Sequence, residues 1–306
     1  MQKIKSKNSK TNMKEDMKRI ILLLCVLLVF CYCTNGDEPK IKPEARNTII
    51  LTSDFAIYWF PRIAWQMAGY GTVTIDWGDG TEVETHYLTE DWGGGSNPDR
   101  NFYRLYSDAA VRTITIKGDS ITHFRCGQNL RSAEINGSTL MHLDLRSNLT
   151  LTSLNIINAP NLTYLDVSSN RLTSLDLSNA PNLTTLLCTG NQLTSLDLSK
   201  NTKLVHLSCF NNRLTALDLS NNTALESLGL DNNQLTSLDL SNNIALRGVG
   251  VRFNNLTREA LLALFDTLHG NEFEGHTKMI LIMGNPGAGM SLDFMKVNGW
   301  LVLVTL

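Results

Sequence analysis

The chain has 306 residues, 42% of them apolar and 18% charged, which is enough apolar material for a sizeable core and excludes long disorder or a collagen-like structure. With 27 basic against 29 acidic side chains the formal charge is −2, so total charge gives no reason to expect nucleic acid, and six cysteines are too few for a disulfide scaffold. Length alone predicts about two domains.

In chain order, the first element is an export signal over 1–33. Seven basic residues (Lys3, Lys5, Lys7, Lys10, Lys14, Lys18, Arg19) precede the unbroken apolar run Ile20 to Tyr32. That run is shorter than the roughly 20 residues a membrane-spanning helix needs and matches a signal-peptide core. Cys31 or Cys33, followed by Thr34-Asn35-Gly36-Asp37-Glu38, resembles the end of a bacterial lipoprotein signal, in which a cysteine becomes the lipidated first residue. The acidic pair resembles the surface-export signals of some Gram-negative lipoproteins. Tyr32 or Phe30 stands where that pattern has a small residue, so ordinary cleavage after Cys33 or Gly36 stays open, as does an uncleaved anchor. Without 1–33, seven basic and two acidic side chains leave and the charge moves from −2 to −7. Residues 34–47, polar with two prolines, read as a flexible tether.

Residues 48–110 hold four of the five Trp and five of the seven Tyr. Thr72-Val73-Thr74-Ile75-Asp76-Trp77-Gly78-Asp79-Gly80-Thr81 is an alternating strand closed by an Asp-Gly turn. The W-G-D-G-T run, with Asn101-Phe102-Tyr103 further on, is similar to PKD-type immunoglobulin-like β domains, although Asn101 replaces that family's usual His. The plainer reading is a small β cap over the open end of a downstream repeat array.

From Leu162 one template recurs. Leu162, Leu183, Leu204, Leu225 and Leu246 are 21 apart, and so are Asn170, Asn191, Asn212, Asn233 and Asn254. The second half-unit is nearly uniform, LTSLDLSNA at 172 to LTSLDLSNN at 235. Weaker copies run back through Leu140, Leu143, Leu145 and Asn148, and through Val111, Ile114, Ile116 and Asp119, with length slips near 130 and 149. A coil of this length cannot bury its leucines alone, so neighbours stack, with short parallel strands at L-x-L about 4.8 Å apart. The asparagine column is expected to hydrogen-bond turn backbone between coils. The alternate residues of the first half-unit are expected to face outward from one sheet.

This pattern resembles the leucine-rich repeats, specifically the bacterial class of 21 residues with a nested 10+11 period, over 111–256. The resemblance implies an α/β-type repeat solenoid, mostly short parallel β-strands and turns, whose outward strand residues bind partners, commonly proteins. On that face Tyr164, Leu187, His206, Phe210, Asp231 and Arg252 are the candidate binding residues, because they supply varied aromatic and charged side chains; the alternative is that they only solvate the sheet. Residues 257–306 read as a C-terminal helix-strand cap. Thr257 N-caps a helix to about His269 with Leu261, Leu262, Leu264, Phe265 and Leu268 on one face, and strands follow at Lys278–Met283 and Trp300–Leu306.

Several signals point elsewhere. Gly284-Asn285-Pro286-Gly287-Ala288-Gly289-Met290-Ser291 nearly spells a phosphate-binding loop, but Met290 occupies the lysine position, so a turn is expected. Asp176, Asp197, Asp218 and Asp239 form an acidic ladder without a second converging carboxylate column, so no metal is expected. Cys188 and Cys209 are in equivalent inward positions, with Cys126 in the same column; they are read as buried thiols, with a disulfide in reach. The six His are scattered, and no enzyme or cofactor is expected. The reading is a monomeric, exported binding protein, outer-membrane-anchored through lipid at Cys33 (or Cys31), or secreted. It recognises a host or cell-envelope protein. The rivals are glycan binding through aromatics such as Trp59 and Trp92, and a purely architectural envelope protein.

Overall fold

The computed structural model describes residues 47–53, 62–90, 101–128, 130–272, 277–288 and 295–304, and the side chains of 295 and 296 are not included. The signal at 1–33, Cys31 and Cys33, most of the tether, Trp59 and Trp92 lie outside the described residues. Among the described residues no helix is long and apolar enough to cross a membrane.

Strands β1 (Asn47–Ser53), β2 (Arg62–Asp76), β3 (Glu84–Tyr87), β4 (Asn101–Leu105) and β5 (Arg112–Arg125) open the fold. β1 and much of β2 and β5 alternate buried with half-buried or exposed residues, the period-2 signature that faces one side onto a core. β2 pairs antiparallel with β3, β4 and β5, and β5 also pairs with β1. Trp65 and Trp77 stack in this core with centroids 4.6 Å apart, and the buried Tyr106 hydroxyl donates to the Trp77 carbonyl oxygen at 2.9 Å. The W-G-D-G-T turn is held by its own aspartates: Asp76 accepts from the Gly78 N–H and Asp79 from the Thr81 N–H and hydroxyl. Arg104 pairs with Asp79 at 2.7 Å.

β5 then changes partner. Its last residues, His123-Phe124-Arg125, pair parallel with β7 (His142–Asp144), after which β9 (Tyr164–Asp166), β10 (Thr185–Leu187), β11 (His206–Ser208), β12 (Ser227–Gly229), β13 (Gly248–Gly250), β14 (Lys278–Leu281) and β16 (Trp300–Leu303) continue one parallel ladder. From Tyr164 to Gly248, strand partners are 21 residues apart. On the opposite side β6 (Leu130–Asn136) pairs with β1 and with β8 (Ser153–Asn158). β15 (Met295–Val297) adds antiparallel to β16. The expected continuation of the register back to Ile114 and Ile116 is not what the strand does. Those residues pair antiparallel with β1 and Ile116 also with β2, and Phe124 occupies the first inward position opposite Leu143.

The leucine columns are buried to 8% exposure or less throughout, each side chain contributing about 1.5–3 kcal/mol relative to exposure. The asparagine column does what a buried amide must. In Asn212 the Nδ2 donates to the carbonyls of Cys188 and Cys209 at 3.0 and 3.1 Å, while Oδ1 accepts from the Leu193 N–H at 3.1 Å. The residue before each ladder asparagine has positive φ: Ser147, Ser169, Gly190, Asn211, Asn232 and Phe253, at 52° to 67°. Gly284 (φ 76°) precedes Asn285, which donates to Val251 and Ile282 and accepts from the Leu256 N–H. Residues 284–288 of the phosphate-loop lookalike therefore form the next ladder turn, and 289–291 lie outside the described residues. A second ladder was not anticipated: Asn201, Asn222 and Asn243, fully buried, each donate to two carbonyls of neighbouring turns.

Helix α1 (Arg258–Asp266) is N-capped by Thr257, whose side chain accepts from the Ala260 N–H. It buries Leu261, Leu264 and Phe265, whereas Leu262 is 49% exposed, off the face expected for it. The helix stops at Asp266 because the Thr267 hydroxyl donates to the Leu264 carbonyl, short of the expected His269. Lys278, buried, donates to the carbonyls of His269 and Asn298 and lies 5.4 Å over Trp300.

Candidate functional site

The parallel ladder presents three outward columns. The first reads His123, His142, Tyr164, Thr185, His206, Ser227, Gly248; the second Arg125, Asp144, Asp166, Leu187, Ser208, Gly229, Gly250; the third, two residues further on, Arg146, Ser168, Thr189, Phe210, Asp231, Arg252. Stacking coils places each residue beside its counterpart in the next, so side chains far apart in sequence become neighbours.

The first column begins as a stack of rings. His142 lies over Tyr164 with centroids 4.0 Å apart and planes 3° from parallel, and His123 is 5.5 Å beyond. Burial between these rings pushes the His142 imidazole down to about 4, helped by the neighbouring His123, and lowers His123 as well. Burial also raises the Tyr164 phenol. Below the stack, Asp144 and Asp166 are buried at 1% and 2% exposure. Asp144 meets Arg146 at 2.7 Å and Arg125 at 3.2 Å, and Asp166 meets Arg146 at 3.4 Å.

Of the candidate binding residues, Tyr164 belongs to the ring stack, Leu187 is half-buried in the second column and His206 is exposed in the first. Phe210 lies half-buried across Gly229, where an added Cβ would collide with the ring. Asp231 and Arg252 come together: the carboxylate accepts from the Arg252 N–H at 2.8 Å and from its Nε at 2.7 Å. Asp231 is only 4% exposed, so it presents Arg252 to solvent rather than itself. The single-coil alternation that places residues 166 and 231 outward does not register a guanidinium from the next coil closing over them. Arg125, Arg146 and His142 escaped sequence reasoning for a related reason, since the coil spacing is irregular there.

The acidic ladder is a row of turns. Asp176, Asp197, Asp218 and Asp239 each accept the N–H of the serine two residues on, at 2.8–2.9 Å, and that bond holds every carboxyl below its ordinary range despite its neighbours. Among the described residues no group of three or more His, Cys, Asp and Glu is placed to hold a metal. Cys188 and Cys209 are buried free thiols with sulfurs 2.7 Å apart, and burial pushes Cys209 well up; Cys126, also buried, is pushed up to about 12. Such thiols pack as small apolar groups.

A parallel ladder of short strands, inward leucine columns and a buried asparagine column together define a leucine-rich-repeat solenoid. No family model and no curated protein matches the chain. Solved structures to which it is similar include the functional domain of InlJ from Listeria monocytogenes, which includes a cysteine ladder (26% identity over 56% of this chain and 41% of that one, TM-score 0.45). Others are the leucine-rich-repeat protein LIC12759 of Leptospira interrogans (21%, 50% and 51%, TM-score 0.38) and the leucine-rich effector YopM of Yersinia pestis (23%, 55% and 52%, TM-score 0.36). The chain spans about half or less of the length of these three.

Proposed function

We propose that this chain is an exported binding protein of the 21-residue bacterial leucine-rich-repeat class, and that it takes a protein partner on the outward face of its parallel ladder. One observation carries the reading. The inward leucines and asparagines repeat from coil to coil, while the outward columns change from imidazole and phenol rings to Phe210 and the Asp231–Arg252 pair. A rigid surface of fixed, varied side chains loses little freedom on binding. Residues 1–33 serve as the signal, Cys33 (or Cys31) as the lipid anchor to a Gram-negative outer membrane, 48–110 with the start of β5 as a PKD-like β domain, the coils from His123 to 256 as the repeats and 257–306 as the cap. Capture from host or envelope extracts tests the reading. A saturable partner should be retained by the native chain and lost with Phe210→Ala plus His206→Ala; no saturable partner would favour an architectural role.

A second reading, glycan binding by the N-terminal β module, draws support from Tyr87 and Tyr103, 79% and 59% exposed on the outer strands β3 and β4. Polysaccharide retention abolished by Tyr103→Ala, with the Phe210 and His206 variants binding normally, would replace the protein-partner reading.

A further inference from the structure

Where β2 and β4 meet the first coils there is a cleft of about 490 Å³, lined by Arg62 and Gln66 of β2, Tyr103 of β4, Arg125 at the end of β5, Gln128, and Arg146 after β7. Its size falls within the range of about 300–1,000 Å³ typical of ligand sites. Three guanidinium groups line it and no carboxylate does, on a chain whose total charge is −2. Asp144 receives Arg146 through Nε at 3.0 Å and Nη2 at 2.7 Å, and Arg125 through Nε at 3.2 Å. One buried carboxylate thus fixes two arginines from adjacent coils. The Arg125 side chain is 48% exposed. Arg62 stacks 5.2 Å over Tyr103, so the far wall is an aromatic plate with a cation on it.

We infer that this cleft binds the carboxylates of an acidic peptide segment, the anchor of the partner that the repeat face takes. The inference rests on the protein-partner reading and names the chemistry of its first contact. Planar guanidiniums held in place match carboxylates in a two-point geometry that lysines lack. The occupant is a chain because the cleft opens onto the face: Arg146 heads the third column, which leads through Ser168 and Thr189 to Phe210. An acidic stretch seated at the arginines extends naturally toward apolar contacts at Leu187 and Phe210.

The test uses the full chain and a fluorescein-labelled hexaglutamate peptide, followed by fluorescence anisotropy. Saturable binding is expected, weakened about tenfold or more by Arg62→Gln plus Arg125→Gln and by ionic strength on the order of 0.5 M. Both residues are exposed and Asp144 keeps Arg146, so thermal unfolding should be unchanged and any loss is of binding. Asp197→Asn, at an exposed turn that does not line the cleft, should leave hexaglutamate affinity intact. The inference is overturned if hexaglutamate fails to bind, if hexaglutamine binds equally, if the double variant binds like the native chain, or if inorganic phosphate or a uronic-acid oligosaccharide displaces the peptide at equal charge. Partner capture intact in the arginine double variant sinks the cleft alone, and capture indifferent to Phe210 and His206 sinks the face reading alone.

Discussion

The coils from 162 to 256 and the junction from 112 to 150 follow the same inward rules and differ in nearly everything else. In the coils every strand partner is 21 residues away and the ladder asparagines from Asn191 to Asn254 find the same three kinds of partner. At the junction the offsets are 19 residues, His123 to His142, and 22, His142 to Tyr164. The slip has a local cost: the Leu151 N–H turns to the Asn148 carbonyl, and the Asn170 Oδ1 is left with no partner. It also brings together two buried carboxylates, two arginines and a stack of three rings. Regular coils set shape and rigidity, and chemistry concentrates where the period fails.

The sharpest way to break this contrast is to remove ladder asparagines on either side of it. Asn212→Ala orphans the buried Leu193 N–H and takes one of two donors from each of the Cys188 and Cys209 carbonyls, which keep Asn191 and Asn233, and should cost about 3 kcal/mol in chemical denaturation. Asn170→Ala should cost about 1–2 kcal/mol less, because its Oδ1 has nothing to lose; equal costs would erase the distinction. Next, Leu207→Ala, 2% exposed in the regular array, should cost about 3 kcal/mol, read from the same denaturation curves.

Titration sharpens the junction. His142 is held near 4 against an ordinary 6.5, so the unfolded chain takes up the proton first and the folded state loses stability as pH falls from about 6.5 to about 4. The groups facing it are His123, Tyr164, Asp144, Asp166 and Arg146, and its partial exposure makes the effect modest. Denaturation midpoints across that window should flatten in His142→Gln; an unchanged slope would place the proton elsewhere. Smaller still, Gly229→Ala should displace the Phe210 ring and cost about 1 kcal/mol, whereas Gly248→Ala meets open space and should leave the melting curve alone. Asp197→Asn keeps its turn acceptor and should not move Tm.

Much of the solenoid was legible because leucine and asparagine recur at a constant interval. Asn285 was not, since α1 and its flanks stretch the interval to its predecessor Asn254 to 31 residues and its glycine neighbours imitate another motif. Two members of the second ladder were hidden in Asn-Asn pairs, where Asn221 is exposed and Asn222 buried although the two letters are identical. Asp166 and Asp231 read as outward by alternation, but arginines from adjacent coils close over them. Among the site residues, what a single coil determines was readable, and what two coils determine together was not.

The asparagine ladder also sets how the array can change length. Asn191, Asn212, Asn233 and Asn254 each draw one carbonyl from their own turn, three residues back, and one from the turn before, 24 residues back. Excising residues 193–213 would hand Asn233 the Cys188 carbonyl in place of Cys209, and Asn222 the Leu177 and Ala180 carbonyls in place of Leu198 and Asn201, each lost acceptor being replaced by its equivalent one coil away. Coils of this kind behave as interchangeable links, so the reach of the face can shorten or grow by whole units without renegotiating the core.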